Sequence, residues 1–220
     1  MRLILAAVSL LLMAAAPPDP LLERLIASAR AVPPASIAFD RTLRIVSQEK
    51  DAPAETHVRT DRWDGKRLTL LTVDGKPASP QQVADAQKAA AGRPAPGYNR
   101  LAVLLAGAVR TTDAQGRTVY RVASLPKGSY NVGKEISNNL VGEATVDTSG
   151  PQPYVSRFRA SLPKPLSFFM VAKLDTFDQV NDYSLGADGK PVQLHSAQMM
   201  AGSQFGTVGT TRSEVTYAPR

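Results

Sequence analysis

The pattern of apolar positions changes along the first fifty residues from a helical to an alternating period. The apolar residues between positions 20 and 31 fall on one helical face, behind Asp19 as N-cap and Pro20 at the first helical position. This pattern predicts a helix from Pro20 to Ala31, which Pro33-Pro34 ends. From Ile37 to Ile45 apolar and polar residues alternate, and this alternation predicts the first strand.

The next hundred residues combine turn signals with two apolar segments. Asp64-Gly65 and Asp74-Gly75 are typical of hairpin turns. A capping box begins at Ser79 and predicts a second helix that Gly92 closes. Leu101 to Val109 is apolar or small throughout and too short to cross a bilayer, so it is either a buried helix or a mobile apolar flap.

The second half of the chain is mostly strand in its pattern. Strands are expected at 109–112, 117–123, 140–147, 154–162, 192–200 and 210–217, and 169–185 is expected to be one long strand or a bent pair. Asp188-Gly189 is a further hairpin turn, and the Gly-rich stretch 202–209 is interpreted as a loop because it lacks a phosphate-loop pattern. Short turns require antiparallel pairing. The fold class expected is α+β: a curved, mostly antiparallel half-barrel sheet with an N-terminal helix and two middle helices over one face.

The N-terminus changes the expected location of the protein. After Met1-Arg2, a run of 14 small or apolar residues ends at Ala16, which is the composition of a secretory signal. We expect residues 1–16 to be a signal peptide and 17–220 to form one β-rich domain of the periplasm. The chain has no cysteine, so disulfides and N-terminal lipidation are excluded.

Candidate chemistry adds little to this picture. The two histidines, His57 and His195, lie on what the alternation predicts to be polar strand faces, and neither has the spacing of a metal site or a triad. We therefore expect no enzyme activity, metal or cofactor. The net charge of +7 is spread along the chain and aromatic residues are only 6%, so nucleic-acid binding is not expected.

Apolar residues exceed what a thin sheet can hide by itself, which leaves two alternatives. In one, the helices close a core over the sheet; in the other, they leave an apolar groove. Residues predicted to line such a groove come from the strand faces and the apolar middle segment: Phe39, Leu43, Leu101, Leu104, Leu105, Val109 and Phe158.

The order of these segments resembles the periplasmic outer-membrane lipoprotein carrier and receptor (Lol) superfamily. The resemblance is carried by an amphipathic helix containing Leu21-Leu22-Glu23-Arg24-Leu25-Ile26, the following strand from Ile37 to Leu43, and the later strand from Leu140 to Asp147. It covers nearly all of the chain after the signal, at the level of architecture. It implies a half-barrel whose apolar concavity, lidded by helices, holds acyl chains.

Two functions follow as hypotheses. The first is a periplasmic protein that binds a lipid, a lipoprotein acyl chain or another apolar ligand. The second is an envelope interaction or scaffolding protein, with a closed core, no small ligand and a protein partner.

Overall fold

The computed structural model describes residues 19–33, 38–90, 97–168 and 172–220. Three α-helices form within these ranges: α1 at Pro20–Ala31, α2 at Pro80–Ala90 and the short α3 at Leu101–Leu104. The predicted bounds of α1 are confirmed. The predicted signal peptide at 1–16, the strand residue Ile37, the helix-ending Gly92 and the first residues of the strand expected at 169 lie outside the described residues.

Two predicted caps begin the longer helices. The Asp19 side chain accepts hydrogen bonds from the backbone N–H groups of Leu21 (2.9 Å) and Leu22 (3.3 Å). At the start of α2, the Ser79 N–H donates to Gln82 Oε1 and the Gln82 N–H donates to Ser79 Oγ. These side chains satisfy N–H groups that a helix leaves unpaired in its first turn.

Twelve strands form within the described residues. Their bounds are β1 Phe39–Glu49, β2 Glu55–Trp63, β3 Leu68–Val73, β4 Lys76–Pro77, β5 Val109–Thr112, β6 Thr118–Val122, β7 Val141–Asp147, β8 Tyr154–Ser161, β9 Leu166–Phe168, β10 Ala172–Leu185, β11 Pro191–Gln204 and β12 Thr207–Pro219.

All twelve strands belong to one open, curled sheet with antiparallel pairing. The strand order is β4-β3-β2-β1-β12-β11-β10-β8-β7-β6-β5, and β9 pairs separately with β10. The last strand, β12, therefore lies beside the first, β1, in the middle of the sheet. The predicted α+β class with a curved antiparallel sheet is confirmed.

The predicted aspartate–glycine turns join paired strands. Gly65 (φ 97°) and Gly189 (φ 76°) take the left-handed backbone conformation that favours glycine. Asp74 and Gly75 form a two-residue turn in which both residues have positive φ, as the right-handed twist of a hairpin favours.

The interpretation of 202–209 as a loop is wrong. Strand β11 continues to Gln204 and β12 starts at Thr207, so the turn is only Phe205-Gly206. Glycine is needed in the strand itself because a Cβ at Gly202 would lie 2.1 Å from the carbonyl oxygen of Lys173 on β10. The β10–β11 pairing shifts register beside this contact, between Leu174 and Thr176.

Apolar side chains form two separate cores on one face of the sheet. The larger joins α1 and α3 to strands β6, β7, β8 and β10, and includes fully buried Leu25, Tyr120 and Phe158. The smaller consists of Phe39, Trp63, Leu68 and Tyr217, with Ala90 at the end of α2 packed against it. Among the described residues, no helix is long and apolar enough to cross a bilayer.

Candidate ligand groove

The helices cover one face of the curled sheet, and we call this face the concave face. Along β12, every second residue from Gly209 to Tyr217 is buried or half-buried on this face, whereas the residues between them are exposed on the convex face. Burial of alternate residues is expected of a strand with one covered side.

Between the two cores, the concave face has a strip of partly covered apolar side chains. Leu43 and Val215 are cross-strand partners on β1 and β12, and both are half-buried. Ile45 lies two residues further along β1 and is also half-buried. Helix α2 packs on β3 and helices α1 and α3 pack on the other half of the sheet, so this strip lies between the two helical layers.

A groove of about 860 Å³ continues the strip toward the end of the long β11–β12 hairpin. Its apolar lining includes Val132, Phe168, Leu174 and Met200. Polar side chains, among them Gln198, are interspersed with them. A volume of this size lies in the range of pockets that accept drug-sized or single-chain ligands.

Buried polar residues lie on the concave face beside the larger core. Gln193 donates from Nε2 to Asn181 Oδ1 (3.1 Å), and Gln179 Nε2 lies 3.4 Å from the same oxygen. Asn181, Gln193 and Ser196 are each less than a tenth exposed. Because buried polar groups need partners, these hydrogen bonds fix the side chains on the concave face of β10 and β11.

Two arginines and one aspartate form a charged cluster beside the smaller core. Asp61 is fully buried, and its Oδ2 accepts hydrogen bonds from Arg41 and from Arg59 Nε and Nη2, both at 3.2 Å. Cross-strand pairing of Arg41 with Asp61 and of Leu43 with Arg59 places all three charged groups on the concave face, next to the apolar strip.

Four tyrosines line the interior, and one of them, Tyr217, is the cross-strand partner of Arg41 in this cluster. Burial raises the pKa of Tyr98 to about 12 and raises the pKa values of Tyr130, Tyr183 and Tyr217 above their ordinary value. The charge of Arg100 lowers the pKa values of Tyr183 and Tyr217 and so opposes part of that effect, which places Arg100 within electrostatic reach of both hydroxyls.

The seven residues predicted to line a groove do not all come together. Leu101, Leu104, Leu105 and Phe158 are in the larger core and are at most 4% exposed. Phe39 is in the smaller core, and Leu43 lies in the strip between the cores. Contact of any of them with a ligand stays a prediction.

The structure takes Val109 away from the other six. Gly107, with φ 71°, lies in the turn after α3, and Val109 then begins β5 at the edge of the sheet. The neighbouring Arg110 pairs with Tyr120, which faces the core, so the side chain of Val109 is on the opposite face and is 65% exposed.

The two histidines lie on different strands, β2 and β11, and contact different carboxylates. His57 Nδ1 lies 3.2 Å from an Asp74 carboxylate oxygen, whereas His195 lies on the convex face between Asp182 (3.3 Å) and Glu214 (3.1 Å). Within the described ranges, no group of three or more His, Cys, Asp or Glu side chains could hold a metal ion.

Sequence reasoning missed the charged cluster, although a signal for it was present. Arg41 alternates in phase with Phe39 and Leu43, and Arg59 and Asp61 alternate in phase with Trp63. Charged residues in phase with an apolar strand face indicate either an error in the predicted face or a polar site in the interior.

Comparisons with known proteins give one weak structural likeness. The chain is similar to a crystal structure of a LolA superfamily protein from Nitrosomonas europaea, with 10% sequence identity, 90% of each chain covered and a TM-score of 0.34. No family model matches the chain, and no curated protein matches it.

Proposed function

We propose that this protein binds an amphiphile with an acyl chain, such as a lipid or the lipid part of a lipoprotein, on the concave face of its sheet. The observation that supports this function is the groove at the β11–β12 hairpin and its continuation into the half-buried apolar strip at Leu43, Ile45 and Val215. Partly covered apolar surface of this kind is stabilised when an apolar ligand removes it from water.

The energetic scale agrees with such a ligand. Burying one aliphatic side chain contributes about 1.5–3 kcal/mol, so a few groove contacts suffice for micromolar affinity. The proposal includes export to the periplasm by the signal segment at 1–16. An intact-mass measurement on the periplasmic fraction tests this part, because the mature chain should be shorter by about 16 residues.

The two adjacent methionines of β11 provide a matched test of the groove. Met200 lies on the concave face in the groove, and Met199 lies on the convex face and is 36% exposed. We expect the neutral fluorescent probe N-phenyl-1-naphthylamine to bind delipidated wild type. Met200→Gln should weaken that binding several-fold, because it places an amide in the apolar lining, whereas Met199→Gln should leave it unchanged.

The scaffolding function has one observation in its favour. The segment at Leu101–Leu105, which could have been a lid, is closed core in the structure. Mass spectrometry of organic extracts from natively purified protein separates the alternatives. A co-purifying lipid near one per chain supports the proposed binding function, whereas no lipid together with no probe binding by wild type leaves the scaffolding function.

A further inference from the structure

The charged cluster on the concave face has more hydrogen-bond donors than its carboxylate can use. Four N–H groups from Arg41 and Arg59 converge on the single oxygen Oδ2 of Asp61. One carboxylate oxygen offers about two lone-pair positions, so these donors compete. The longer bonds, both 3.2 Å, are those of Arg59. Arg59 is therefore the guanidinium that an incoming anion can recruit most easily.

Two buried polar atoms in the same interior have no hydrogen-bond partner within the described structure. One is Oδ1 of Asp61, which is fully buried, and the other is the hydroxyl of Tyr130, a residue only 6% exposed. Unsatisfied buried polar atoms are rare in folded proteins because each costs desolvation free energy. Both atoms therefore point to a polar group that completes this region.

Excess positive charge accompanies these unsatisfied atoms. Arg100 lies 5.6 Å from the centre of the Tyr130 ring and donates to the carbonyl oxygen of Ser129, and no carboxylate of the described residues forms an ion pair with it. Arg41 and Arg59 thus share one carboxylate, Asp61, and Arg100 adds a third positive charge to the same interior. A guanidinium presents five N–H donors in a fork that matches carboxylate and phosphate oxygens.

We propose that this region, which comprises Arg59, Arg100 and the Tyr130 hydroxyl beside Asp61, binds the anionic headgroup of the amphiphile, either a carboxylate or a phosphate. The inference rests on the proposed function and names the class of its ligand. The acyl chain would lie along the apolar strip toward the hairpin groove. Strand β1 spans this path, because it rises about 20 Å, at 3.3 Å per residue, from Arg41 in the charged cluster to Ser47 in the groove lining. Asp61 Oδ1 can accept a hydrogen bond from a hydroxyl of the same headgroup.

The test compares an acid with its neutral ester. Laurate and methyl laurate carry the same chain, and both are titrated as competitors of N-phenyl-1-naphthylamine at concentrations below micelle formation. We expect wild type to bind laurate about tenfold more tightly than methyl laurate, the factor that charge-assisted hydrogen bonds from one guanidinium supply. Arg59→Gln should weaken laurate binding about tenfold and leave methyl laurate unchanged.

Arg59 suits this test because its loss leaves Arg41 on the buried Asp61, so no charge is left unpaired. The matched control is Arg44→Gln, which removes an exposed arginine from the convex face of the neighbouring strand β1 and should keep the preference for laurate. Arg100→Gln is the second variant and should also reduce the preference. Thermal melts of all three variants check that they remain folded.

The outcomes separate the headgroup site from the binding function. Equal affinity of wild type for laurate and methyl laurate, or an unchanged preference in folded Arg59→Gln and Arg100→Gln, overturns the headgroup site and leaves the acyl-chain function intact. Failure of wild type to bind the probe or either laurate compound overturns the proposed function. A titration with inorganic phosphate then tests the anion site by itself. Phosphate binding that Arg59→Gln abolishes would keep the site as one for a free anion, and no phosphate binding would overturn it.

Discussion

Gly65 and Gly189 are positions where one residue type is required by the backbone alone. Their φ angles are 97° and 76°, and no atom lies within 4 Å of the place that a Cβ would take. A larger side chain would therefore meet open space, and its cost would come only from forcing a β-branched residue into the left-handed region.

We expect Gly65→Val and Gly189→Val each to lower the free energy of unfolding by roughly 1–3 kcal/mol. Gly150→Val is the matched control, because Gly150 is also surrounded by open space but lacks a positive φ. Thermal melts of the three variants provide the measurement. Equal stability of all three would show that these backbone conformations do not constrain the turns.

The alternation of residues in β1 predicted part of the candidate site but not its chemistry. Phe39 and Leu43 share the inward face of β1, because the period of a strand fixes the phase of every second residue. The same phase puts Arg41 on that face, yet its role depends on Asp61 and Arg59. Those partners come from the neighbouring strand, and a single sequence does not contain the register that brings them together.

Helix α3 shows how a short apolar element can be core on one side and surface on the other. Leu101 and Leu104 are buried in the larger core, whereas Val103, between them, is 58% exposed. The sequence showed only a uniformly apolar segment, so it left open whether the helix was buried or a mobile flap. The burial of one face follows from contact with α1, which the local pattern does not reveal.

Leu104→Ser should therefore destabilise the fold by about 2–5 kcal/mol, because it leaves a cavity and a hydroxyl in the core. Val103→Ser, in the same helical turn, should change stability by less than about 0.5 kcal/mol. Urea denaturation of both variants measures the difference. A stable Leu104→Ser variant that has lost binding of the fluorescent probe would instead show that α3 acts as a lid.

The length of the β11–β12 hairpin was underestimated from sequence for a specific reason. Gly202 and Gly209 are cross-strand partners, and each lies close to a neighbouring backbone: a Cβ would be 2.1 Å from Lys173 O at Gly202 and 3.1 Å from Gln48 O at Gly209. Glycine in a strand can mark such close approaches as well as loops. Composition alone does not distinguish these cases, and so the end of the groove was not predicted.

At the scale of the whole molecule, the interior contains tyrosines that burial keeps neutral. All six tyrosines of the chain have a raised pKa, with burial as the largest cause in each case. Tyr120 has a second cause, since its hydroxyl donates to the Asp19 carboxylate that caps α1. The tyrosines thereby connect both cores, the helix cap and the candidate headgroup site.

This burial predicts how stability changes in alkali. A raised pKa means that the folded state holds the phenolic proton more tightly than the unfolded state does. The stabilisation is therefore fully present below the ordinary pKa of 10.0 and is lost as pH rises above it, when the unfolded chain ionises first. We expect tyrosinate absorbance to appear in one step that coincides with the loss of β-sheet circular dichroism.

Two controls make this prediction specific. In denaturing urea the same tyrosines should ionise gradually around 10.0, because burial no longer opposes the charge. Tyr183→Phe removes a buried hydroxyl and should move the unfolding transition to higher pH, whereas Tyr154→Phe, at a half-buried position, should move it less. Gradual ionisation near 10.0 with the circular dichroism unchanged would contradict the burial of these hydroxyls and, with it, the packed interior on which the candidate headgroup site depends.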